Sequence, residues 1–115
     1  EFAMSKLKPG IKIKDYEKQV EHFMGQELIK LGLIKEINRN NVRKYYPHAT
    51  SHHLGLDTHD VADYETELKE NMVLTIEPSL SYGKGLMMVH EENIIVSQTG
   101  GQLITTRAAP ELPVI

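Results

Sequence analysis

Cysteine is absent from this sequence of 115 residues. Its absence excludes disulfide scaffolds, thiol catalysis, and zinc or iron–sulfur sites built on cysteine. No apolar run approaches the ~20 residues of a membrane span, and no secretory signal pattern is visible, so we expect no membrane partner and a cytoplasmic location. No charge of one sign dominates, because the formal net charge is −3, and this argues against a nucleic-acid partner.

Histidine, by contrast, is abundant: there are six, and four of them lie between His48 and His59. The composition is otherwise typical of a globular domain, with 40% hydrophobic and 25% charged residues. A chain of this length buries one modest core and is short for most metal-dependent hydrolases. Residues 1–3 are interpreted as a cloning remnant and set aside, so the predicted domain covers residues 4–115.

The clearest periodic pattern predicts a helix over about 15–32. Its apolar positions recur at spacings of three and four, which defines one buried helix face; they are Tyr16, Val20, Phe23, Met24, Leu28 and Leu31. Asp15 is the expected N-cap, and Gly32 the expected C-terminal stop. Residues 35–47 are polar, basic and rich in asparagine, and they are predicted to form a loop.

The second half of the chain has the features of strands. Residues 72–76 form a short apolar run that predicts a buried strand, and a second apolar stretch covers residues 86–96. Residues 94–97 and 102–106, separated by Gly100-Gly101, predict a hairpin. The expected fold class is therefore α+β, with one main helix packed on a mostly antiparallel sheet.

Two glutamates adjoin these apolar stretches. Glu77 ends the first strand, and a carboxylate there is costly to bury unless it is paired or bound to a metal. Glu91 interrupts the second stretch in the same way. Alternate strand residues point to opposite faces, so only one of His90 and Glu91 can share the face of Glu77. The alternative interpretation is that both carboxylates sit at an edge and reach solvent.

The histidines strengthen the case for a site. His48 and His52 would share one face of a strand, whereas His59 would join them only if the chain bends. Four histidines within twelve residues, beside two carboxylates, favour a metal or proton-transfer site. Mixed nitrogen and oxygen donors suit manganese, cobalt, iron or zinc.

Three motifs in order resemble a known family. They are residues 52–60 (HHLGLDTHD), residues 72–78 (MVLTIEP) and residues 91–96 (EENIIV). Together they are similar to the C-terminal half of the catalytic domain of Xaa-Pro aminopeptidases, within the pita-bread metallopeptidases that include prolidase, creatinase and methionine aminopeptidase. The resemblance covers about residues 8–107 and implies the C-terminal half of a pita-bread fold.

The resemblance also implies roles for individual residues. In this family two metal ions are held by two Asp, one His and two Glu; His52, Glu77 and Glu91 match the last three. His48 and His59 match the histidines that contact substrate, and Glu77 also matches the proton shuttle. The implied reaction releases the N-terminal residue from peptides with proline second, and the implied cofactor is a pair of divalent ions, Mn first, with Co, Zn or Fe as alternatives.

The two aspartate ligands belong to an earlier part of the family fold, so this polypeptide alone is predicted to be inactive. Its expected partners are the missing N-terminal half, the peptide substrate and, through exposed apolar surface, further copies of itself. Departures from the family pattern include Val89 for arginine and Ser81 for an aromatic residue, while Ala49, Ala62 and Ser79 replace glycines. The small replacements of glycine are expected to be mild unless the backbone needs positive φ. Val89 and Ser81 slightly favour an alternative, a non-catalytic pita-bread module that binds peptides or proteins.

Overall fold

The computed structural model describes residues 1–104. Three helices precede five strands in chain order: α1 (Phe2–Lys6), α2 (Ile13–Lys30), α3 (Arg39–Tyr45), β1 (Val73–Ile76), β2 (Ser79–Gly83), β3 (Leu86–Val89), β4 (Glu92–Ser97) and β5 (Gly100–Leu103). Buried side chains from α2, α3, β1 and β4 belong to a single apolar core. The predicted α+β class is confirmed, and every strand pair in the described part of the chain is antiparallel.

Helix α2 is the predicted long helix, displaced by two residues toward the N-terminus. Lys12, in an extended conformation, is its N-cap, so the prediction that Asp15 caps the helix is wrong. Asp15 lies instead in the first turn, where a carboxylate interacts favourably with the helix dipole. Gly32 follows the last turn with φ of 71°, a conformation that costs glycine little, and it ends the helix as predicted. Leu31, assigned to the buried face, is exposed.

Residues 35–47 are not the predicted loop, because they contain α3. The Asn38 side chain accepts a hydrogen bond from the Asn41 main-chain N–H at 2.9 Å, which caps the helix. Val42 is buried and lies close to Gly25 of α2, where the lack of a side chain permits the approach. The asparagines that favoured a turn therefore act as a capping sequence, because the same short amide side chain serves both structures.

Strands β1, β4 and β5 form one sheet in the order β1–β4–β5, and β2 pairs with β3 separately. The predicted hairpin is confirmed as β4–β5, although residues 105 and 106 lie outside the described residues. The two sheets share one continuous register: Ile76 pairs with Glu92, and Ser79 pairs with Val89, three residues further along both strands. The segments β1–β2 and β3–β4 thus form a single two-stranded ribbon with a short interruption between them.

Helix α1 begins within the residues that were set aside. The Phe2 ring stacks on the Phe23 ring, with centroids 4.2 Å apart and planes 6° from parallel. The assignment of residues 1–3 to a cloning remnant stays a prediction about their origin, but they pack as part of this fold. Within residues 1–104, no helix has both the length and the apolar character needed to cross a bilayer.

Candidate metal centre

A cavity of about 480 Å³ lies between the ribbon and the loop that follows α3. The histidines His48, His52 and His59 line it together with Glu77. Met87 and Val89 of β3 supply an apolar wall on the same side. The cavity therefore brings together the residues predicted to be catalytic, although the loop and the ribbon are far apart in sequence.

Main-chain hydrogen bonds fix the loop beside the ribbon. The Thr75 N–H donates to the His52 carbonyl at 3.0 Å, and the Glu77 N–H donates to the Thr50 carbonyl at 2.6 Å. In the other direction, the His52 N–H donates to Thr75 Oγ1 at 3.2 Å, and His53 bridges antiparallel to Leu74. Residues 50–53 therefore run antiparallel along the edge of β1 that β4 leaves free, which places His52 next to Glu77.

His52 and Glu77 form the centre of the site. His52 Nε2 lies 2.9 Å from Glu77 Oε1, and the histidine is 9% exposed. His52 Nδ1 faces the His53 carbonyl at 3.0 Å. Because a carbonyl only accepts hydrogen bonds, Nδ1 is the donor in this contact, and the contact directs Nε2 toward the Glu77 carboxylate. A contact between the other ring nitrogen and a carbonyl, as His52 Nδ1 makes here, is the arrangement that orients metal-binding histidines.

His59 completes a group of possible ligands. Its ring centroid is 4.3 Å from that of His52, with the planes tilted by 46°. One donor atom from each of His52, His59 and Glu77 lies within 4.8 Å of the others. The chain therefore bends enough to bring His59 to the strand-bound histidine, which was the condition set by the sequence spacing.

Glu91 is placed differently from the other predicted ligands. The ribbon register sets it opposite Glu77, and the His90 N–H donates to the Pro78 carbonyl at 3.3 Å, as this register requires. The Glu91 side chain is exposed and is not part of the three-residue group. The backbone thus aligns both glutamates on one face of the ribbon, while the side chains stay apart. The assignment of Glu91 as a ligand stays a prediction.

The surroundings of Glu77 fit a cation. Ser79 Oγ and Asn93 Oδ1 are buried oxygen atoms without a hydrogen-bond partner in the described part of the chain. Both residues lie on the ribbon face of Glu77, since Asn93 pairs with Thr75, two positions before it. Of these groups, Ser79 lines the cavity together with the Glu77 carboxylate and the histidines, and oxygen and imidazole nitrogen donors of this kind suit a divalent transition metal.

Substitutions at the family's glycine positions leave the backbone regular. Among residues 1–104, the non-glycine residues with positive φ are Asn71 and Lys84. Ala49, Ala62 and Ser79 therefore occupy conformations open to any residue. The expectation that these replacements are mild is consistent with this geometry.

One charged residue beside the site, Glu17 of α2, was not predicted from the sequence. Its carboxylate accepts hydrogen bonds from the main-chain N–H groups of Thr50 and Ser51. Burial raises the pKa of Glu17, while these backbone hydrogen bonds and the Arg43 charge act in the opposite direction. The sequence did indicate that Glu17 is unusual. It lies on the apolar face of the helix, four residues after Ile13 and three before Val20.

The contact between His52 and Glu77 in one cavity agrees with the resemblance of the sequence to the pita-bread metallopeptidases. The sequence profile of metallopeptidase family M24 matches residues 1–98, and the chain belongs to this family.

Two aminopeptidases are similar to this chain in sequence. Xaa-Pro aminopeptidase of Escherichia coli strain K12 is 32% identical over 123 residues, covering 91% of this chain and 28% of that protein. Xaa-Pro aminopeptidase 3 of Homo sapiens is 30% identical over 120 residues, covering 90% of this chain and 24% of that protein. This chain spans less than a third of the length of these relatives.

Solved structures agree as well. E. coli aminopeptidase P with the inhibitor Pro-Leu superposes with a TM-score of 0.82 at 29% identity, covering 95% of this chain and 29% of that one. Proline aminopeptidase P II from Yersinia pestis gives a TM-score of 0.80 at 27% identity, covering 96% of this chain and 30% of that one. The fold is therefore the corresponding part of a pita-bread domain.

Proposed function

We propose that this chain forms the C-terminal part of the catalytic domain of a metallopeptidase that releases the N-terminal residue from peptides with proline second. The observation that carries the proposal is the 2.9 Å approach of His52 Nε2 to Glu77 Oε1 in the wall of a cavity. The names of the relatives support the reaction and substrate class. The cysteine-free composition suits the reducing cytoplasm, which we propose as the location.

His52, Glu77 and Glu91 would hold the metal, and two aspartates from the preceding part of the domain would complete the set. Two Mn ions are the proposed complement, with Co, Zn or Fe as alternatives. When bound, such ions would lower the pKa of a bound water and polarise the scissile carbonyl. The E. coli aminopeptidase P structure described as zinc-substituted, in complex with product, supports a site that accepts more than one divalent metal.

The remaining roles fall to side chains around the cavity. Glu77 would accept the proton of the attacking water and pass it to the leaving nitrogen. His48 and His59, both exposed at the cavity, would hydrogen-bond the substrate around the scissile bond. Met87 and Val89 would contact the proline ring, because a ring without an N–H is recognised through apolar contact and shape.

Calorimetric titration with Mn²⁺ tests the metal assignment. We expect weak binding by the chain, because two of the five ligands would come from the preceding part. Binding should be lost in Glu77→Ala and retained in Glu36→Ala, a matched removal of an exposed carboxylate. An unchanged binding isotherm in Glu77→Ala would refute the assignment.

Cleavage of an Xaa-Pro peptide in Mn²⁺ tests the requirement for a second part. We expect no turnover by the chain alone, and turnover when the preceding part of the domain is supplied. Turnover by the chain alone would contradict the proposal. Peptide binding without any Mn²⁺ binding would favour the non-catalytic module instead.

The surface of β3 supports the proposed partner. Leu86, Met87, Met88 and Val89 are each between 41% and 65% exposed, so one whole strand is apolar and uncovered in residues 1–104. Met87 and Val89 line the cavity, so Leu86 and Met88 point to the other face of the strand. We propose that the preceding part of the domain covers Leu86 and Met88 and that the chain alone self-associates. Light scattering should show assembly that Leu86→Lys reduces; a monomer at all concentrations would count against this.

A further inference from the structure

We propose that Glu17 is a positioning residue for the candidate metal centre. Its carboxylate holds the Thr50–Ser51 main chain and, through it, sets the relative placement of His52 and Glu77. The inference rests on the proposed function, because that function assigns metal binding to His52 and Glu77.

The Glu17 carboxylate contacts this segment directly, through hydrogen bonds from main-chain N–H groups. Glu17 Oε1 accepts hydrogen bonds from the Thr50 N–H at 3.0 Å and from the Ser51 N–H at 2.8 Å. Glu17 Oε2 accepts from the Thr50 N–H at 2.9 Å. Thr50 is fully buried and Ser51 is 3% exposed, so both N–H groups need an acceptor within the protein, and the Glu17 carboxylate supplies it.

The same short segment is connected to both candidate metal ligands, Glu77 and His52. The Thr50 carbonyl accepts the Glu77 N–H at 2.6 Å, on the side of the chain away from Glu17. Ser51 is followed directly by His52, whose N–H and carbonyl both bind Thr75. One carboxylate on α2 therefore reaches Glu77 through one peptide unit and His52 through the next.

Two tyrosines hold the side chains of this segment but not its N–H groups. The Tyr16 hydroxyl lies 2.9 Å from Ser51 Oγ, and the Tyr46 hydroxyl hydrogen-bonds Thr50 Oγ1. Side-chain contacts alone leave the peptide planes free to rotate, and the planes decide where His52 and the Glu77 N–H lie. Glu17 is the group that constrains those planes from the helix side.

A purely structural role would alter stability but not the site in molecules that remain folded. The test therefore compares Glu17→Gln, which keeps Oε1 as an acceptor, with Glu17→Ala, which removes both acceptors. Glu27→Gln is the matched control, because Glu27 lies on the same helix and its carboxylate pairs with exposed Lys30. Circular dichroism selects conditions in which every variant is folded.

Calorimetry with Mn²⁺ gives the first readout. Removing a group that orients a metal ligand weakens metal binding roughly 10- to 100-fold, and we expect the loss in Glu17→Ala to fall in this range. Glu17→Gln should recover most of the affinity, and Glu27→Gln should match the original chain. If Glu17→Ala does not fold, Glu17→Asp replaces it, because one methylene less prevents contact with both N–H groups. A folded Ala or Asp variant with unchanged affinity overturns the proposal.

The His52 ring proton resonances in the NMR spectrum, recorded without Mn²⁺, give the second readout. We expect these resonances to shift in Glu17→Ala and to stay in place in Glu27→Gln. If the original chain binds no Mn²⁺, the proposed function fails, but a shift still supports the positioning role. Unchanged His52 resonances overturn that role whatever the metal result.

Discussion

Thr75 connects the stability of the fold to the geometry of the site, and Thr75→Val separates its hydroxyl from its shape. Thr75 is fully buried, and its Oγ1 accepts the His52 N–H at 3.2 Å. Valine keeps the volume and the β-branch, so strand propensity and packing change little. The His52 N–H then has no acceptor in a buried setting.

The magnitude follows from that unpaired donor. Leaving a buried N–H unsatisfied costs about 1–3 kcal/mol. The bond is at the long end of the normal range, and the added methyl group is buried, so we expect a loss of about 1–2 kcal/mol. For a domain near 100 residues this lowers the melting temperature by about 4–8 °C for each kcal/mol.

Urea unfolding followed by circular dichroism measures this loss, with Thr58→Val as a matched control at an exposed position. The control should change stability by less than about 0.5 kcal/mol. Mn²⁺ affinity should also fall in Thr75→Val, because His52 loses one of its two main-chain anchors. Equal stability of the two variants would refute the argument that this hydroxyl fixes the loop to β1.

Further predictions concern other parts of the structure. Burial raises the pKa of Tyr46 to about 12, so the folded state keeps a proton that the unfolded state loses from pH 10 upward. Tyr46 should contribute a loss of stability of up to about 3 kcal/mol as the pH rises from 10 to 12, so the fall should be smaller in Tyr46→Phe, as measured by urea unfolding at each pH. Gly100→Ala should destabilise the fold more than Gly32→Ala in thermal unfolding. Both glycines have positive φ, which costs alanine about 1–2 kcal/mol. Of the two, only Gly100 would place an added Cβ against a main-chain oxygen of α1, at 2.8 Å. In the presence of a chelator, Glu91→Gln should leave the melting temperature unchanged or raised. It should reduce the rise in melting temperature that Mn²⁺ produces, and an equal rise would argue against Glu91 as a ligand.

Elements with a periodic apolar pattern were predictable from sequence. Helix α2 and strand β1 each bury a regular set of side chains, and hydrophobic spacing reports burial directly. Helix α3 lacks such a set, since Val42 is its one buried residue. Its stability comes from the Asn38 cap and from contact with α2, and tertiary contact of this kind leaves no periodic trace in a seven-residue segment.

The site was predictable in its members more than in its arrangement. The family motifs identified His52 and Glu77, and the structure brings these two together. Glu17 was missed because its partners are main-chain N–H groups more than thirty residues away, which no side-chain pattern encodes. The position of His59 depended on a bend that the spacing required but could not predict.

The interrupted ribbon explains why two glutamates can stand in apolar strands. Pro78 has no N–H to donate, so its pair with His90 keeps only the hydrogen bond from the His90 N–H, and the ladder is weakened next to the Glu77–Glu91 pair. Opposed carboxylates repel when nothing lies between them, and a continuous ladder would fix them in place at a cost in stability. The weakened ladder relieves that repulsion, because Glu91 extends into solvent while Glu77 contacts His52. The register still keeps the two glutamates on one face, so a cation beside Glu77 could recruit Glu91 by side-chain rotation alone.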